Sequence, residues 1–484
     1  MAHALTGNSA GREGGRYTIT PRHLWHGARV GLAVAVITAC TADRLTIPHY
    51  NAPTTEGVKR DPMGVQLLAT GILVNERNQL AEMNRDFGVF GREVYNYFAT
   101  DGRFISNYLM GIPGPQRLDP NGYASGGWFG RFQNMRDAVQ IIQVADASAL
   151  SAEQKLGVAG FAKTVRALDL LYVIISRDTI GAPVDIADDP NSPAAFVARD
   201  SVYSFISAML EDAAGNLKSA GSTFPFVFHS GFAGFNTPAT FLQFNRAIAA
   251  RNFAYRGSLG CAGCYQLALA ALGASFVSAV GGATSLADLN RGAYNIYSTV
   301  AGDQPNVNSF AVQNFIFAHA SIQADAQSGP GGIDARYSRK IVPLASPVAP
   351  PQDLNVAATL RFGIYPEPET PAPIIRNEEL MLIRAEANIF TGNLAAALAD
   401  INNIRAVSGG LAPLALFASQ ADALDALLYE RRYSLLFEGQ RWNDYRRFKR
   451  LNQLPLDRPT HFVAKVMPIP QAECDARVVK PNGC

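Results

Sequence analysis

Charged side chains are scarce in this chain of 484 residues, where Asp, Glu, Lys and Arg make up only 17%. The 42 basic residues nearly balance the 40 acidic ones and leave a net charge of +2. Nucleic-acid-binding proteins usually carry a strong basic excess, because neutralised phosphates supply most of their affinity. The composition therefore argues against nucleic acid as a partner, and its 48% hydrophobic residues favour a large buried core over disorder.

Long apolar runs are missing too. No stretch reaches about 18 uninterrupted apolar residues, so no transmembrane helix is expected. Near the N-terminus, Arg22 and Arg29 precede a small apolar segment, Gly31–Ala39, which ends at Cys40. This order is typical of a bacterial lipoprotein signal. We therefore predict a signal peptide over 1–39, lipidation of Cys40 and a polar tether over 40–60. A plain secretory signal or a short buried helix is the alternative.

Catalytic motifs are also lacking. The 7 histidines are scattered along the chain, and no HExxH, GxSxG, Walker A or GxGxxG motif with a strand context appears. We therefore predict a binding protein rather than an enzyme, with no catalytic residue, metal or cofactor. A carboxylate pair for glycoside hydrolysis stays open, because its geometry is set in three dimensions. The adjacent pairs are Glu378 with Glu379 and Asp188 with Asp189.

Beyond Cys40, four cysteines remain, and an even number in an exported chain suggests disulfides. The local pairing joins Cys261 to Cys264 and Cys474 to Cys484. The CAGC stretch at 261–264 could instead be redox-active or half of a zinc site. A zinc site needs further nearby ligands, and no second CxxC or HxxxH is present.

Apolar residues recur with a helical period over much of the chain. The pattern predicts helices over 158–176, 239–257, 376–391 and 394–406, several of which end at a glycine. Helix, glycine turn and antiparallel helix repeat at irregular spacing, as in tetratricopeptide-like arrays. Long segments rich in Gly, Pro and Asn lie between the helices, at 99–127, 181–195, 219–238, 280–312 and 325–375. We predict an all-α fold of tetratricopeptide-like helical hairpins with long irregular loop insertions.

Arginines and aromatic residues alternate over 427–450, LLYERRYSLLFEGQRWNDYRRFKR. Such a mixture suits either a nucleic-acid surface or a packed helical seam. Glu430, Glu438 and Asp444 lie at short helical spacings from the arginines, and Tyr429, Tyr433 and neighbouring apolar residues form one helix face. We therefore favour two helices separated by a turn near Gly439, with guanidiniums paired to carboxylates and stacked on rings.

Several segments together resemble the SusD/RagB-type outer-membrane lipoproteins. They are IPHYNAPT at 47–54, GFAKTVRALDLLYVIISRDTIGAPVDI at 160–186, DAR at 334–336, IIRNEELMLIRAEA at 374–387, ERRYSLLFEGQRWNDYRR at 430–447 and MPIPQAE at 467–473. The turn GAPVDI departs from the family pattern, because Asp178-Thr179-Ile180 replaces the usual Tyr-Gly. We expect one SusD-like helical domain over 61–484, with an N-terminal part of about 61–235 and a C-terminal part of about 236–484.

The resemblance implies a surface lipoprotein of the outer membrane that captures oligosaccharide for a SusC-like TonB-dependent transporter. Two alternatives remain: the same scaffold could bind peptides or another nutrient, or the chain could be a helical adaptor that binds only protein. Which ligand it takes is not readable from the sequence.

A glycan site should combine exposed rings with polar side chains, because a sugar ring has apolar C–H faces and a hydroxylated edge. The stretch 93–134 offers that mixture on a loop. Our candidate ligand residues are Tyr108, Tyr123, Trp128, Asn107 and Asp101. Trp128 precedes a helix and could equally pack in the core. A second possible platform is the 280–312 loop, with Tyr294 and Tyr297.

Overall fold

The computed structural model describes residues 63–111, 117–186, 193–351 and 356–484. The predicted signal peptide, the tether, Cys40 and the Asp188–Asp189 pair lie outside these ranges. Within them, no helix is both long and apolar enough to cross a membrane.

Seven helices lie in the described chain between residues 63 and 273. They are α1 (Gly64–Phe90), α2 (Arg103–Ile105), α3 (Phe129–Ala147), α4 (Ala152–Arg177), α5 (Arg199–Ser219), α6 (Pro238–Ser258) and α7 (Cys264–Gly273). A π-helical turn, Ser106–Met110, continues α2. Local sequence fixes several starts: Ser151 with Gln154, and Thr237 with Thr240, form capping boxes that satisfy the first backbone N–H groups.

Eight helices follow in the C-terminal part. They are α8 (Leu286–Asn290), α9 (Ser321–Ala324), α10 (Ala335–Lys340), α11 (Asn377–Phe390), α12 (Leu394–Ile404), α13 (Gln420–Ser434), α14 (Gln440–Arg447) and α15 (Gln471–Asp475). The side chain of Asn393 caps α12 by accepting from the Ala396 backbone N–H at 3.3 Å. The helices predicted from periodicity are therefore present, with ends shifted by a few residues.

The long helices pack as successive hairpins. Helix α3 packs on α4, α4 on α5, α5 on α6 and α6 on α7, and further along the chain α11 packs on both α12 and α13. Met381, Leu382, Ile401, Ile404 and Leu427 meet in one buried apolar cluster between α11, α12 and α13. The predicted all-α architecture of tetratricopeptide-like hairpins is confirmed.

Short strands interrupt the segments that the sequence analysis treats as irregular. An antiparallel sheet has the order β1 (Val94–Asn96), β5 (Ile316–Ala318), β9 (Ala358–Phe362), β8 (Ile341–Val348). Two-stranded pairs join β10 (Ala372–Arg376) to β4 (Gly292–Asn295), β2 (Ala182–Pro183) to β3 (Phe196–Val197), and β6 (Ser328–Gly329) to β7 (Gly332–Ile333). Apart from β8, which has 8 residues, these strands are only two to five residues long and carry too little alternation to be read from sequence.

The Arg-aromatic segment is interior structure. Trp442 is fully buried, and its Nε1 donates to the Ala464 carbonyl at 2.7 Å. Arg431 Nε donates to Asp444 Oδ2 at 2.7 Å, and Arg447 pairs with Glu386 and with Asp444. The packed-seam interpretation of 427–450 is thus confirmed for most of its arginines.

Buried ion pairs also connect elements that are distant in sequence. In the DAR motif, Arg336 pairs with Asp334 at 2.6 Å and reaches Glu430 on α13 at 2.6 Å, all fully buried. Arg251 on α6 donates two hydrogen bonds of 2.7 Å to the carboxylate of Glu379 on α11. Buried charges need such partners, because desolvation penalises them strongly.

Two disulfides are present, Cys261–Cys264 and Cys474–Cys484. Both are the local pairs considered in the sequence analysis. Among the described residues, no group of three or more His, Cys, Asp or Glu side chains could hold a metal ion.

Candidate ligand-binding site

The segment with the predicted ligand residues divides between core and surface. Tyr108 lies in the core with 0% exposure, and its ring contacts Phe90 at 5.2 Å and Phe104 at 5.6 Å between centroids. Burial raises the pKa of its hydroxyl well above the ordinary value. This position differs from the exposed loop position expected from sequence, because the π-helical turn Ser106–Met110 directs the ring inward.

Asn107 is also buried, and its role in the structure is local. Its Oδ1 accepts from the Asp119 backbone N–H at 2.9 Å, which fixes the loop that leads to Tyr123. Gly122 lies so close to this amide that an added Cβ would come within 2.2 Å of Asn107 Nδ2. Asn107 and Gly122 therefore pack closely and hold the loop in place, and both are buried.

Trp128 is 2% exposed and lies directly before the first residue of α3, with its ring packed between neighbouring side chains. Phe196 stacks on it at 5.6 Å with an interplanar angle of 11°, and the guanidinium of Arg177 lies 5.1 Å from its ring centroid. This is the core position that the sequence analysis weighed as its alternative.

The remaining two candidates, Asp101 and Tyr123, come together on the surface. Tyr123 is 42% exposed, and its ring stacks on Phe104 at 4.6 Å with an interplanar angle of 9°. Its Oη donates to Asp101 Oδ2 at 2.7 Å and accepts from Arg103 Nη2 at 2.7 Å. We call Asp101, Arg103, Phe104 and Tyr123 the Tyr123 cluster.

Hydrogen bonding within the Tyr123 cluster sets its charge state. The Arg103 guanidinium holds the pKa of Asp101 well below its usual range, and Asp101 raises the pKa of Arg103 in return. The hydrogen bond to Asp101 likewise raises the pKa of the Tyr123 hydroxyl. The cluster thus presents a neutral phenol ring beside an ionised carboxylate and a guanidinium.

A cavity of about 380 Å³ lies a few residues further along. Phe129, which is 55% exposed, borders it. Its other lining residues come from α3, from the β2 and β3 region and from the chain end: Trp128, Phe132, Arg136, Pro183, Asp185, Ile186, Pro193, Ala194, Glu473 and Arg477. We call this the Phe129 cavity. Its volume falls in the range of ordinary ligand sites, roughly 300–1,000 Å³.

Two charged residues near the C-terminus, Glu473 and Arg477, form a polar wall of the Phe129 cavity. Arg477 pairs with Glu473 at 2.7 Å, donates to the Ala194 carbonyl at 2.8 Å and covers the ring of Phe196 at 4.8 Å. Sequence reasoning missed Glu473 and Arg477, although the Cys474–Cys484 pair that holds this end was a usable signal.

The 280–312 loop and a cavity beside Phe462 are less suited to stacking against a sugar ring. Tyr297 is buried beneath the Arg77 guanidinium at 5.6 Å, and Tyr294 donates its hydroxyl to the Asn290 carbonyl. A cavity of about 760 Å³ beside Phe462 is lined mostly by aliphatic residues. The Tyr123 cluster and the Phe129 cavity are therefore the better match to the predicted mixture of exposed rings and polar edges.

Comparison with known proteins defines the class. The fold is that of SusD-like proteins: a SusD superfamily protein from Bacteroides vulgatus superposes with a TM-score of 0.66 at 15% identity, covering 88% of this chain and all of that one. Surface glycan-binding protein A from Bacteroides uniformis superposes with a TM-score of 0.66 at 16% identity, covering 87% of this chain and 99% of the other. A laminarin-binding SusD-like protein gives 0.61 at 17% identity, with 88% and 100% covered.

Sequence comparison agrees with the fold. Residues 367–467 match the SusD family model, a range that includes α11 and the Arg-aromatic segment and ends at Met467, the first residue of the MPIPQAE stretch. No curated protein sequence matches the chain. The chain therefore has a SusD-like fold, and its residues 367–467 match the SusD family in sequence.

Proposed function

We propose that the protein is a lipid-anchored, surface-exposed component of the outer membrane that captures oligosaccharide. It passes the captured glycan to a SusC-like TonB-dependent transporter and does not transform it. The match of residues 367–467 to the SusD family model supports this role, as do the similar folds of a surface glycan-binding protein and a laminarin-binding protein. The lipoprotein signal predicted to end before Cys40 supports the anchoring part of this proposal.

The observation that carries the glycan proposal is the exposed ring of Tyr123, stacked on Phe104 and flanked by Asp101 and Arg103. The C–H face of a sugar can lie on such a ring while its hydroxyls bond to the carboxylate and guanidinium. Phe129 offers a second exposed ring six residues on, so the two are at most about 21 Å apart along the chain. Two exposed rings within this reach can contact different sugar units of one oligosaccharide.

The test measures glycan affinity of the detergent-solubilised full chain, first on a glycan array and then by calorimetry with the best hit. Each ring lost should cost about 0.5–1.5 kcal/mol, or roughly 2- to 12-fold in Kd. Tyr123→Ala and Phe129→Ala should each show such a loss, whereas Tyr123→Phe should keep most of the affinity because it retains the ring.

Tyr294→Ala is the matched control, since it removes a ring from the alternative loop. If Tyr294→Ala weakens binding while the other variants do not, the platform lies on the 280–312 loop. Binding to a peptide panel with no glycan hit would instead support the peptide alternative and reject glycan capture.

The anchor and the transporter need a separate experiment. Cys40→Ala should move the protein from the membrane fraction to the soluble fraction, because the acyl chains supply the membrane affinity. The wild-type chain, solubilised from outer membranes, should co-purify with a large β-barrel protein. Recovery of the wild-type chain without a barrel would argue against delivery to a transporter.

A further inference from the structure

A second polar cleft lies away from the Tyr123 cluster. A cavity of about 430 Å³ forms where the turn after α4, the start of α5, the end of α6 and α14 come together. An adjoining hollow of about 270 Å³ shares Tyr203, Leu259 and Gly260 with it. We call the two together the α14 cleft. Neither the Tyr123 cluster nor the Phe129 cavity shares a lining residue with it.

Positive charge exceeds negative charge along the α14 cleft. Its lining cations other than Arg447 are Arg199, Arg256, Arg446 and Lys449, and its lining anions are Asp178 and Asp200. Four cations against two anions leave an excess of two. Arg447 also lines the cleft, but Glu386 and Asp444 pair with it and neutralise it.

Arg199 pairs with Asp178 at 3.2 Å and with Asp200 at 3.1 Å, whereas Arg446 and Arg256 make no hydrogen bond to a carboxylate among the described residues. Arg446 covers the ring of Trp442 at 4.6 Å, and its Nε lies 3.7 Å from Asp178 Oδ2, beyond hydrogen-bond distance. Arg256 donates only to hydroxyls, those of Ser207 at 2.7 Å and Ser204 at 3.1 Å. Such groups keep the capacity to attract an added anion.

A buried amide also lines the α14 cleft with an unused donor. Asn443 is 3% exposed, and its Oδ1 accepts from Arg446 Nη2 at 3.0 Å. Its Nδ2 has no hydrogen-bond partner among the described residues. Buried polar groups normally find partners, so an orphaned donor beside a cavity points to a ligand acceptor there.

The backbone at the cleft is unusual as well. Asp178 has φ of 43° and Lys449 has φ of 60°, two of the four non-glycine residues with positive φ in the described ranges. Side chains disfavour this conformation, and residues held in it cluster at functional sites. Both residues line the same cavity.

From the surplus cations, the orphaned Asn443 amide and the cavity that they share, we propose that the α14 cleft binds the oxyanion of a small acidic ligand. The group is a carboxylate, as in a hexuronate, or a sulfate. Arg199, Arg446 and Lys449 supply the charge, and Asn443 Nδ2 donates to one oxygen. This site does not depend on glycan capture at the Tyr123 cluster.

The experiment titrates the full chain separately with sodium glucuronate, glucose and sodium sulfate, using calorimetry at low ionic strength. Binding of glucuronate without binding of glucose supports a carboxylate site, because the two sugars differ in that group. Binding of sulfate supports a site for any oxyanion of this size. If neither anion binds, or if glucose binds as well as glucuronate, the proposal is overturned.

Variants locate any binding that is seen. Lys449→Asn removes the charge with a residue that tolerates positive φ, and it should weaken anion binding at least 5-fold, whereas Lys449→Arg should restore it. Arg199→Gln should give a similar loss. Lys480→Asn is the matched control, an exposed lysine outside the cleft. If Lys449→Asn and Arg199→Gln bind the anion as tightly as the control Lys480→Asn, the anion binds elsewhere and the assignment to the α14 cleft is rejected. Thermal melts show that each variant is folded.

Discussion

Removing one member of the Arg251–Glu379 pair should destabilise the protein strongly. The two side chains are each 2% exposed and share two hydrogen bonds of 2.7 Å between α6 and α11. Burial by itself lowers the pKa of Arg251, yet Glu379 raises it overall, so the guanidinium is protonated in the fold. Breaking a buried pair costs about 3–5 kcal/mol, because the remaining charge is left desolvated.

This cost converts to a measurable shift in melting temperature. For the unit Lys59–Cys484, unfolding entropy is on the order of 0.9 kcal/mol/K. Arg251→Met and Glu379→Leu should therefore each lower Tm by about 3–6 °C in calorimetry at pH 7. The double variant Arg251→Met, Glu379→Leu should melt closer to wild type than either single variant, because it leaves no unpaired charge.

The double variant separates charge pairing from packing. In Arg251→Met, the buried Glu379 carboxylate loses its cation, and in Glu379→Leu the buried Arg251 guanidinium loses its anion. Additive losses in the double variant would show that packing and not charge pairing governs this contact.

Three further predictions concern stability. Burial raises the pKa of Glu93 from 4.5 to about 7, so wild-type stability should fall by up to about 3 kcal/mol between pH 4.5 and 8; Glu93→Gln should flatten that slope in denaturant titrations, and an unchanged slope would contradict it. Replacing Cys474 by Ala and Cys484 by Ser should cost roughly 2.7 kcal/mol of loop entropy, seen as a lower Tm that reductant no longer affects; a Tm equal to wild type would count against this contribution. Trp442→Ala removes a fully buried ring and its bond to the Ala464 carbonyl, so it should cost about 3–5 kcal/mol by calorimetry, and a loss below 1 kcal/mol would contradict the packed seam.

The helical scaffold could be read from sequence because its signals are local. Helix α11 and the Asn393 cap of α12 follow from a 3.6-residue period and one side chain. The interior position of the Arg-aromatic segment followed from carboxylates at short spacings, and Asp444 is indeed a partner of Arg431.

The candidate site was harder to predict from the sequence, because the direction of a side chain in a loop depends on contacts with distant residues. Tyr108 and Tyr123 look equivalent in sequence, yet one is buried and the other exposed. Tyr95 is held inward by a hydrogen bond to Asp457, 362 residues away. The Phe129 cavity likewise needs Arg477 from the chain end. No local pattern encodes such separations.

The hydrogen bond from the Asp119 backbone to Asn107 has a consequence for how ligand preference can change. This hydrogen bond holds the start of the loop that leads to Tyr123. Its acceptor, Asn107, is buried and does not belong to the exposed face. Residues on that face can therefore be exchanged while the helical hairpins keep their register. Substitutions at a handful of loop positions would therefore change the exposed face while leaving the helical framework intact.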